Sequence, residues 1–222
     1  MKVSLGIIAS ENDSKYIGKC IRSAKKHCSE VVVVIQGKAP LLEKEVRSAE
    51  PKSFIMHTSQ KGTADIDRNM LANIITGDYL LMMDADEVLS PALKKYLQKC
   101  DFSYDIYFIP FKNLVDGVNI ENILGKDYHP RLFKRGSLVW PSEIHTHPDV
   151  KSSNCIFLDD KYHIIHHRTS EQIVTSHRLR SAIPKTQRNV ELEKNFLTSL
   201  SRMLKKDLVS KVYDQNYNPS SI

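Results

Sequence analysis

Hydrophobic residues in the first hundred positions follow two alternating patterns. Apolar runs of strand length occupy residues 3–9, 31–35 and 79–83. Such runs are typical of strands that are buried on both faces of a mostly parallel sheet. Between them, apolar residues recur at helical spacing over residues 14–24 and 63–76. The alternation predicts repeated strand–helix units and therefore an α/β fold.

Proline, glycine and serine residues mark the predicted ends of several elements. Pro40 suits the first turn of a helix that runs to about Ala49, and residues 53–56 predict a third strand. Gly77 stands where the helix over residues 63–76 should stop, and Ser90 before a proline predicts the N-cap of the next helix. In such folds ligands gather at the carboxyl ends of the strands.

The second half of the chain shows a different pattern of predicted elements. Residues 106–111, 131–136 and 162–166 predict strands, and Thr169 has capping-box spacing to Gln172 at the start of a helical region. After Pro184 one apolar stripe collects Phe196, Leu197, Leu200, Met203, Leu204 and Leu208. We therefore expect a catalytic domain over residues 1–168 and a helical C-terminal extension over residues 169–222.

Composition bounds the class of protein. The chain has 222 residues and is 41% hydrophobic, which suits one buried core, and its apolar runs are far shorter than a membrane span. The N-terminal apolar run fits a first strand better than a signal peptide. Four cysteines without paired spacing fit reduced thiols, so we expect a soluble, cytoplasmic protein. The net charge of +6 permits nucleotide diphosphates, acidic lipids or nucleic acid as partners.

Two carboxylates follow the strand over residues 79–83. Asp84 and Asp86 are one residue apart at the predicted ligand-binding edge of the sheet. Carboxylate oxygens suit a hard divalent cation such as Mg²⁺ or Mn²⁺, which can bridge a diphosphate and neutralise its leaving charge. Taken alone, the pair is more typical of a solvated acidic turn than of a metal site.

Further motifs occur in a fixed order around this pair. They are Asp67-Arg68-Asn69, Gly77-Asp78-Tyr79, Asp84-Ala85-Asp86-Glu87, His129-Pro130-Arg131-Leu132-Phe133-Lys134-Arg135, Trp140 and Ile144-His145. Together they resemble the GT-A-type, family-2 glycosyltransferases, and most of all the small enzymes that extend lipopolysaccharide cores and related surface glycans. The resemblance implies a GT-A fold, with a Rossmann-like, mostly parallel mixed sheet flanked by helices.

The resemblance also implies roles for single residues. Asp86 would be the principal metal ligand, with His145 as a second ligand or a diphosphate contact. Asp84 would contact the ribose or the metal as part of the catalytic site, and Arg68 would hold the nucleotide. The remaining donor-binding positions implied by the family pattern are Ser10, Glu11, Ala85 and His166.

Two positions depart from the family pattern. Ile35 stands where an aspartate usually reads the nucleotide base, so we expect Gln36, or Glu11 with Asn12, to read it instead. Thr146 follows His145 where a glutamate is usual. An inverting transfer needs a group that takes the proton of the acceptor hydroxyl. We nominate Glu143 as this catalytic base, ahead of Asp127 and Asp160.

The leading hypothesis is a metal-dependent, inverting glycosyltransferase of cell-envelope polysaccharide biosynthesis. It would use Mn²⁺ or Mg²⁺ and a nucleotide-sugar donor, with a UDP-sugar preferred. The acceptor would be a hydroxyl of a surface glycan or of a lipid-linked saccharide. The basic helix after Pro184 would touch the inner face of the membrane, or would simply pack on its own domain.

Other functions stay open at this point. The positive charge also suits a glycosyltransferase that acts on nucleic acid, and the departures suit a degenerate, non-catalytic homologue. His163, His166 and His167 together would suit a zinc hydrolase. A nucleotidyltransferase is disfavoured because the first strand–helix turn lacks a glycine-rich loop. Arg131, Lys134 and Arg135 would screen phosphates or protect a strand edge.

Overall fold

The structure, a computed structural model, describes residues 1–59, 65–140, 148–181 and 187–213. The chain divides into two compact units. The first consists of Met1–Lys112 and Lys126–His166, and the second of Asn113–Gly125 and His167–Ile222. The predicted domain boundary after residue 168 stays a prediction.

Strands and helices alternate along the first half of the chain. The strands are β1 (Val3–Ala9), β2 (Glu30–Gln36), β3 (Phe54–Thr58), β4 (Tyr79–Asp84), β5 (Glu87–Leu89), β6 (Ile106–Val115), β7 (Val118–Asn119), β8 (Tyr128–Lys134), β9 (Leu138–Val139), β10 (Asp149–Val150), β11 (Cys155–Phe157) and β12 (Ile164–Arg168). The helices are α1 (Ser14–Ala24), α2 (Pro40–Ala49), α3 (Asp65–Ile74), α4 (Pro91–Lys99), α5 (Glu121–Leu124), α6 (Ser170–Ser181), α7 (Gln187–Leu204) and α8 (Leu208–Tyr213).

The main sheet joins a parallel half to an antiparallel half. Its strand order is β3-β2-β1-β4-β8-β6-β12-β5. The first four strands are parallel to one another, whereas β8 runs antiparallel to both β4 and β6. The order reverses between β1 and β4, which makes a topological switch point of the kind where α/β proteins bind ligands. The predicted mostly parallel, mixed sheet flanked by helices is confirmed.

The first unit has apolar clusters on both faces of its parallel strands. Leu5 and Ile7 of β1 pack in a cluster with Ile17 of α1 and Leu42 of α2. Ile8 points to the other face, where the cluster includes residues of α3. All seven residues of β1 are buried, which confirms that the continuous apolar run is a strand covered on both sides.

Two predicted helix caps are present. The Ser90 hydroxyl accepts a hydrogen bond from the Leu93 N–H at 3.2 Å, with proline at the first helical position. Thr169 and Gln172 exchange two hydrogen bonds, with the Thr169 N–H donating to the Gln172 side chain at 2.7 Å and the Gln172 N–H donating to the Thr169 hydroxyl at 3.1 Å. This reciprocal pair is a capping box.

The apolar stripe of α7 lies in the core of the second unit. Leu197 and Leu200 of α7 and Leu208 of α8 are at most 1% exposed, and they cluster with residues of the 113–125 segment and of α6. The stripe is therefore covered by protein, as expected of a helix that packs on its own domain. Within the described part of the chain, no helix is long and apolar enough to cross a membrane.

Close packing at Gly77 generates a stability prediction. A Cβ atom at this position would lie 2.5 Å from the Ser4 hydroxyl and 3.0 Å from the Lys2 carbonyl oxygen. The Gly77 N–H also donates to the Ser4 hydroxyl at 2.9 Å, so the two segments cannot separate without losing that bond. We expect Gly77→Ala to lower the free energy of unfolding by about 1–3 kcal/mol, measured by urea denaturation.

Gly18→Ala is the matched control. Its Cβ would meet only the end of the flexible Arg22 side chain, at 3.1 Å, and alanine favours the interior of α1. Its free energy of unfolding should equal or exceed that of the parent protein. Equal stability of the Gly77→Ala and Gly18→Ala proteins would contradict the close approach at Gly77.

Candidate active site

An acidic turn lies at the switch point of the sheet. β4 ends at Asp84, which is paired with Ile8 of β1, and the chain re-enters the sheet at Glu87 of β5. Because β1, β2 and β4 are parallel, their carboxyl ends lie along one edge. The predicted donor-binding positions 10, 36 and 84–86 therefore follow strands that end at the same edge.

A buried arginine organises this turn. The Arg131 Nη2 group donates to the Asp84 Oδ2 atom at 2.7 Å and to the Glu87 Oε1 atom at 2.6 Å. The other Glu87 oxygen accepts the Asp84 N–H at 2.9 Å. The Arg131 side chain is 6% exposed and that of Glu87 is fully buried. Three separate strands, β4, β5 and β8, thus meet through one guanidinium group.

Arg131 corrects one interpretation of the sequence. β8 lies between β4 and β6, so its basic residues do not protect a strand edge. Lys134 lies 3.4 Å from Asp105, and Arg135 donates to the Ile75 carbonyl oxygen. The three basic residues therefore have separate partners, and Arg131 binds carboxylates of the protein itself.

Burial and charge set the ionisation of the turn. Burial raises the pKa of Glu87 well above its usual value, with Arg131 opposing and Asp84 adding to the shift. Burial also acts to raise the pKa of Asp84, but Arg131 and Arg68 outweigh it and hold that pKa well below its usual value. Asp84 is therefore the carboxylate that carries the charge opposite Arg131.

Asp86 faces a histidine. Its Oδ1 atom lies 3.4 Å from the Nε2 atom of His166, and both side chains are at most 20% exposed. The backbone explains the proximity, because His166 of β12 is paired with Glu87 of β5. Arg68 approaches the same turn, with its Nη2 atom 4.0 Å from the Asp84 Oδ1 atom. Four predicted site residues are thus brought together.

The Asp86–His166 pair fits two neighbouring ligands of a divalent ion. Bonds of about 2.1 Å at right angles place two donor atoms about 3.0 Å apart, close to the observed separation. Over the described ranges, no three His, Cys, Asp or Glu side chains form a ready metal-binding group. An ion held here would draw its other ligands from phosphate and water, as Mg²⁺ commonly does.

The predicted base-reading residues already have partners in the protein. The Gln36 amide donates to the Asp67 carboxylate at 2.7 Å. The Glu11 carboxylate accepts the backbone N–H groups of Leu41 and Leu42 at the start of α2, at 3.3 and 3.4 Å. Glu11 thereby stabilises a helix N-terminus.

Ser10 binds a second carboxylate beside the turn. Its N–H and hydroxyl both donate to the Asp13 Oδ2 atom, at 2.8 and 3.0 Å. Burial raises the pKa of Asp13 against these two bonds, and the charges of Asp86 and Asp84 add to the increase. The donor-binding roles of Ser10, Glu11, Gln36 and Ala85 stay predictions.

Only some of the nominated catalytic residues lie within the described part of the chain. Glu143 and His145 lie outside the described residues, so their roles as base and metal ligand stay predictions. Asp160 is 57% exposed and binds Lys126 and Tyr128. Asp127 pairs instead with His129.

The histidines proposed for zinc do not all face the acidic turn. The Nδ1 atom of His163 lies 2.9 Å from the backbone oxygen of Asp160, whereas His166 faces Asp86. The geometry of these two residues therefore suits separate roles better than one shared zinc ion.

Sequence reasoning missed two side chains of this site. The sequence interpretation gives Arg131 to phosphate screening or to a strand edge, whereas an arginine buried next to Leu132 and Phe133 in a central strand calls for a buried partner. Phe111 was assigned only to a strand. Its ring lies 5.2 Å from the Arg131 guanidinium carbon and 6.0 Å from the His166 ring. No local pattern in the sequence marks that contact.

Comparison with known proteins identifies the family and the fold. The family described as Glycosyl transferase family 2 matches residues 7–211. No curated protein matches the chain in sequence. The crystal structure of TarS from S. aureus has a TM-score of 0.59 and 16% identity, over 99% of this chain and 46% of that chain. This chain therefore spans less than half of the TarS length.

Two complexes of TarS residues 1–349 are also similar. The complex with UDP has a TM-score of 0.55 and 16% identity, over 99% of this chain and 76% of that chain. The complex with UDP-GlcNAc has a TM-score of 0.55 and 15% identity, over 99% and 77% respectively. At this identity the likeness shows the fold, and it confirms the predicted GT-A class.

The buried arginine generates a second prediction. Arg131→Met would leave Glu87 and Asp84 without their shared cation, and breaking a buried pair in this way costs about 3–5 kcal/mol. We expect a loss of that size in the free energy of unfolding, measured by urea denaturation. Lys134→Met on the same strand is the control, because its side chain is 58% exposed and should change stability by less than about 1 kcal/mol. Equal losses would contradict the assignment.

Proposed function

This chain belongs to glycosyl transferase family 2, and we propose that it transfers a sugar from a nucleotide-sugar donor to a hydroxyl group. The observation that carries the proposal is the acidic turn at the switch point of the sheet. There the charged Asp84, the Asp86–His166 pair and Arg68 lie together at the ligand-binding edge. Such a site combines cation-binding oxygens with an arginine for phosphate.

Each side chain has a distinct part in donor binding. Asp86 and His166 would hold Mn²⁺ or Mg²⁺. When bound, that ion neutralises the charge that develops on the leaving diphosphate. Asp84, fixed by Arg131, would accept a hydrogen bond from a ribose hydroxyl. Arg68 would bind a phosphate oxygen, since a guanidinium fork matches phosphate geometry.

A UDP-sugar is the proposed donor. The support is that TarS, which shares the fold, has been solved with UDP and with UDP-GlcNAc. We assign the base contact to the Gln36 amide, which Asp67 holds at the carboxyl end of β2. Glu11 is the weaker candidate because its carboxylate already accepts two N–H groups of α2.

The acceptor is proposed to be a hydroxyl of a surface glycan or of a lipid-linked saccharide, attacked with inversion. A cytoplasmic location, peripheral to the inner membrane face, is part of this proposal. The buried stripe of α7 gives the membrane contact no support, so any such contact would rest on the basic charge of the chain. A nucleic-acid acceptor is the second candidate, favoured only by the net charge of +6.

A donor screen tests the function. Thermal shift and sugar-nucleotide cleavage would be measured against a panel of nucleotide sugars, with and without Mn²⁺. We expect stabilisation by one donor that requires the ion and reaches about 2.7 kcal/mol at a hundredfold excess over Kd. Removal of the ion with EDTA should abolish both the stabilisation and the cleavage.

Asp86→Asn supplies the site-specific arm of that screen. Loss of the carboxylate should weaken the ion-dependent response strongly, because a neutral amide oxygen lacks the charge with which a carboxylate binds a divalent cation. Asp149→Asn is the control, since that carboxylate is 65% exposed and pairs with Lys151. A parent protein that shows neither a thermal shift nor cleavage with any donor of the panel would contradict the proposal and favour a non-catalytic homologue. Binding of DNA that weakens steeply with salt would favour the nucleic-acid candidate.

A further inference from the structure

An aspartate–histidine pair lies near the acidic turn but takes no part in the donor site described above. The Oδ1 atom of Asp127 is 2.8 Å from the Nε2 atom of His129. The two side chains are 33% and 47% exposed, so both are accessible from solvent. The Asp127 backbone carbonyl oxygen accepts the Phe111 N–H at 2.8 Å, which holds the backbone of residue 127 beside β6.

Phe111 connects this pair to the donor site. Its ring centre lies 4.7 Å from that of His129 and 6.0 Å from that of His166, edge-on in both cases. The same ring lies 5.2 Å from the Arg131 guanidinium carbon, which belongs to the group that binds Asp84. Phe111 therefore lies against residues of the donor site and also against the Asp127–His129 pair.

The order of the strands indicates how far His129 lies from His166. His129, Phe111 and His166 lie on β8, β6 and β12, which are neighbours in that order. Two strand spacings amount to about 10 Å. A sugar ring whose diphosphate is held at Asp86 and His166 would span much of that distance. In the transfer argued here, the acceptor hydroxyl would approach the sugar at the Asp127–His129 pair, from the side away from the diphosphate.

We propose that His129, oriented by Asp127, is the general base that activates the acceptor. This inference rests on the proposed glycosyl transfer. The acceptor oxygen forms a bond to the anomeric carbon while the bond from that carbon to the diphosphate oxygen breaks, and its electron pair leaves with the nucleoside diphosphate. The hydroxyl proton passes to His129.

The hydrogen bond to Asp127 decides which nitrogen acts. With the Nε2–H group donating to the carboxylate, the Nδ1 atom of His129 is the proton acceptor. The imidazolium that forms is stabilised by the Asp127 charge, as in other carboxylate–histidine pairs of catalytic sites. Asp127 is therefore a positioning residue, and His129 is the residue that touches the acceptor.

An exposed glutamate–histidine pair elsewhere in this chain provides a control. His57 lies 3.5 Å from Glu43 and is 47% exposed, the same value as His129. An exposed pair of this kind contributes little to stability. The contact of His129 with Phe111 is what distinguishes it from such a surface pair.

The test measures UDP release from the UDP-sugar that most stabilises the parent protein, with water and with simple methyl glycosides as acceptors. We expect His129→Gln to lower kcat by about 100-fold or more, the usual contribution of a general base, while the donor KM and thermal shift stay unchanged. Asp127→Asn should also lower kcat without changing the donor KM. His57→Gln should behave as the parent protein.

Chemical rescue adds a result that a structural role would not give. Imidazole added to the His129→Ala protein should restore part of the lost rate, because a free imidazole can occupy the vacated space and accept the proton. A His129→Gln protein with parent kcat, together with loss of kcat in Glu143→Gln, would overturn the inference and leave the proposed function standing. A parent protein that neither binds nor cleaves any nucleotide sugar would overturn the proposed function as well.

Discussion

The candidate site depends on one buried guanidinium group that is shared by two carboxylates. Arg131 comes from β8, whereas Asp84 and Glu87 lie at the end of β4 and the start of β5. The group therefore fixes the turn between β4 and β5, on which Asp86 is carried. Asp86 is left to face His166 instead of the arginine.

A buried group of charges is weak evidence for stability. Moving an ion out of water costs several kcal/mol, and well-packed apolar residues often replace a buried ion pair without loss. What the arrangement provides is orientation, because Asp84 is held ionised and in one position at the ligand-binding edge. We infer that Arg131 is present for the chemistry of the site more than for the stability of the sheet.

The parts of the fold that could be predicted from sequence are those with local signals. The bounds of β1, α1 and α2 agree with the apolar runs and helical spacing that predicted them, because each element buries a defined face. β5 and β11 are three residues long, too short to show a period. The Arg131 contacts join positions more than forty residues apart, so only the tertiary structure reveals them.

The mixed sheet explains why the proposed nucleotide-binding residues and the proposed acceptor-side residues come from different halves of the sheet. Its parallel half ends at one edge, which gathers Ser10, Gln36 and the acidic turn where a nucleotide would bind. Its antiparallel half carries His129, Phe111 and His166 on three neighbouring strands, β8, β6 and β12. A parallel sheet alone would direct only strand ends toward the ligand. Because β8 runs antiparallel to β4, the first residues of β8 lie beside the end of β4, so side chains from the start of a strand also reach this edge.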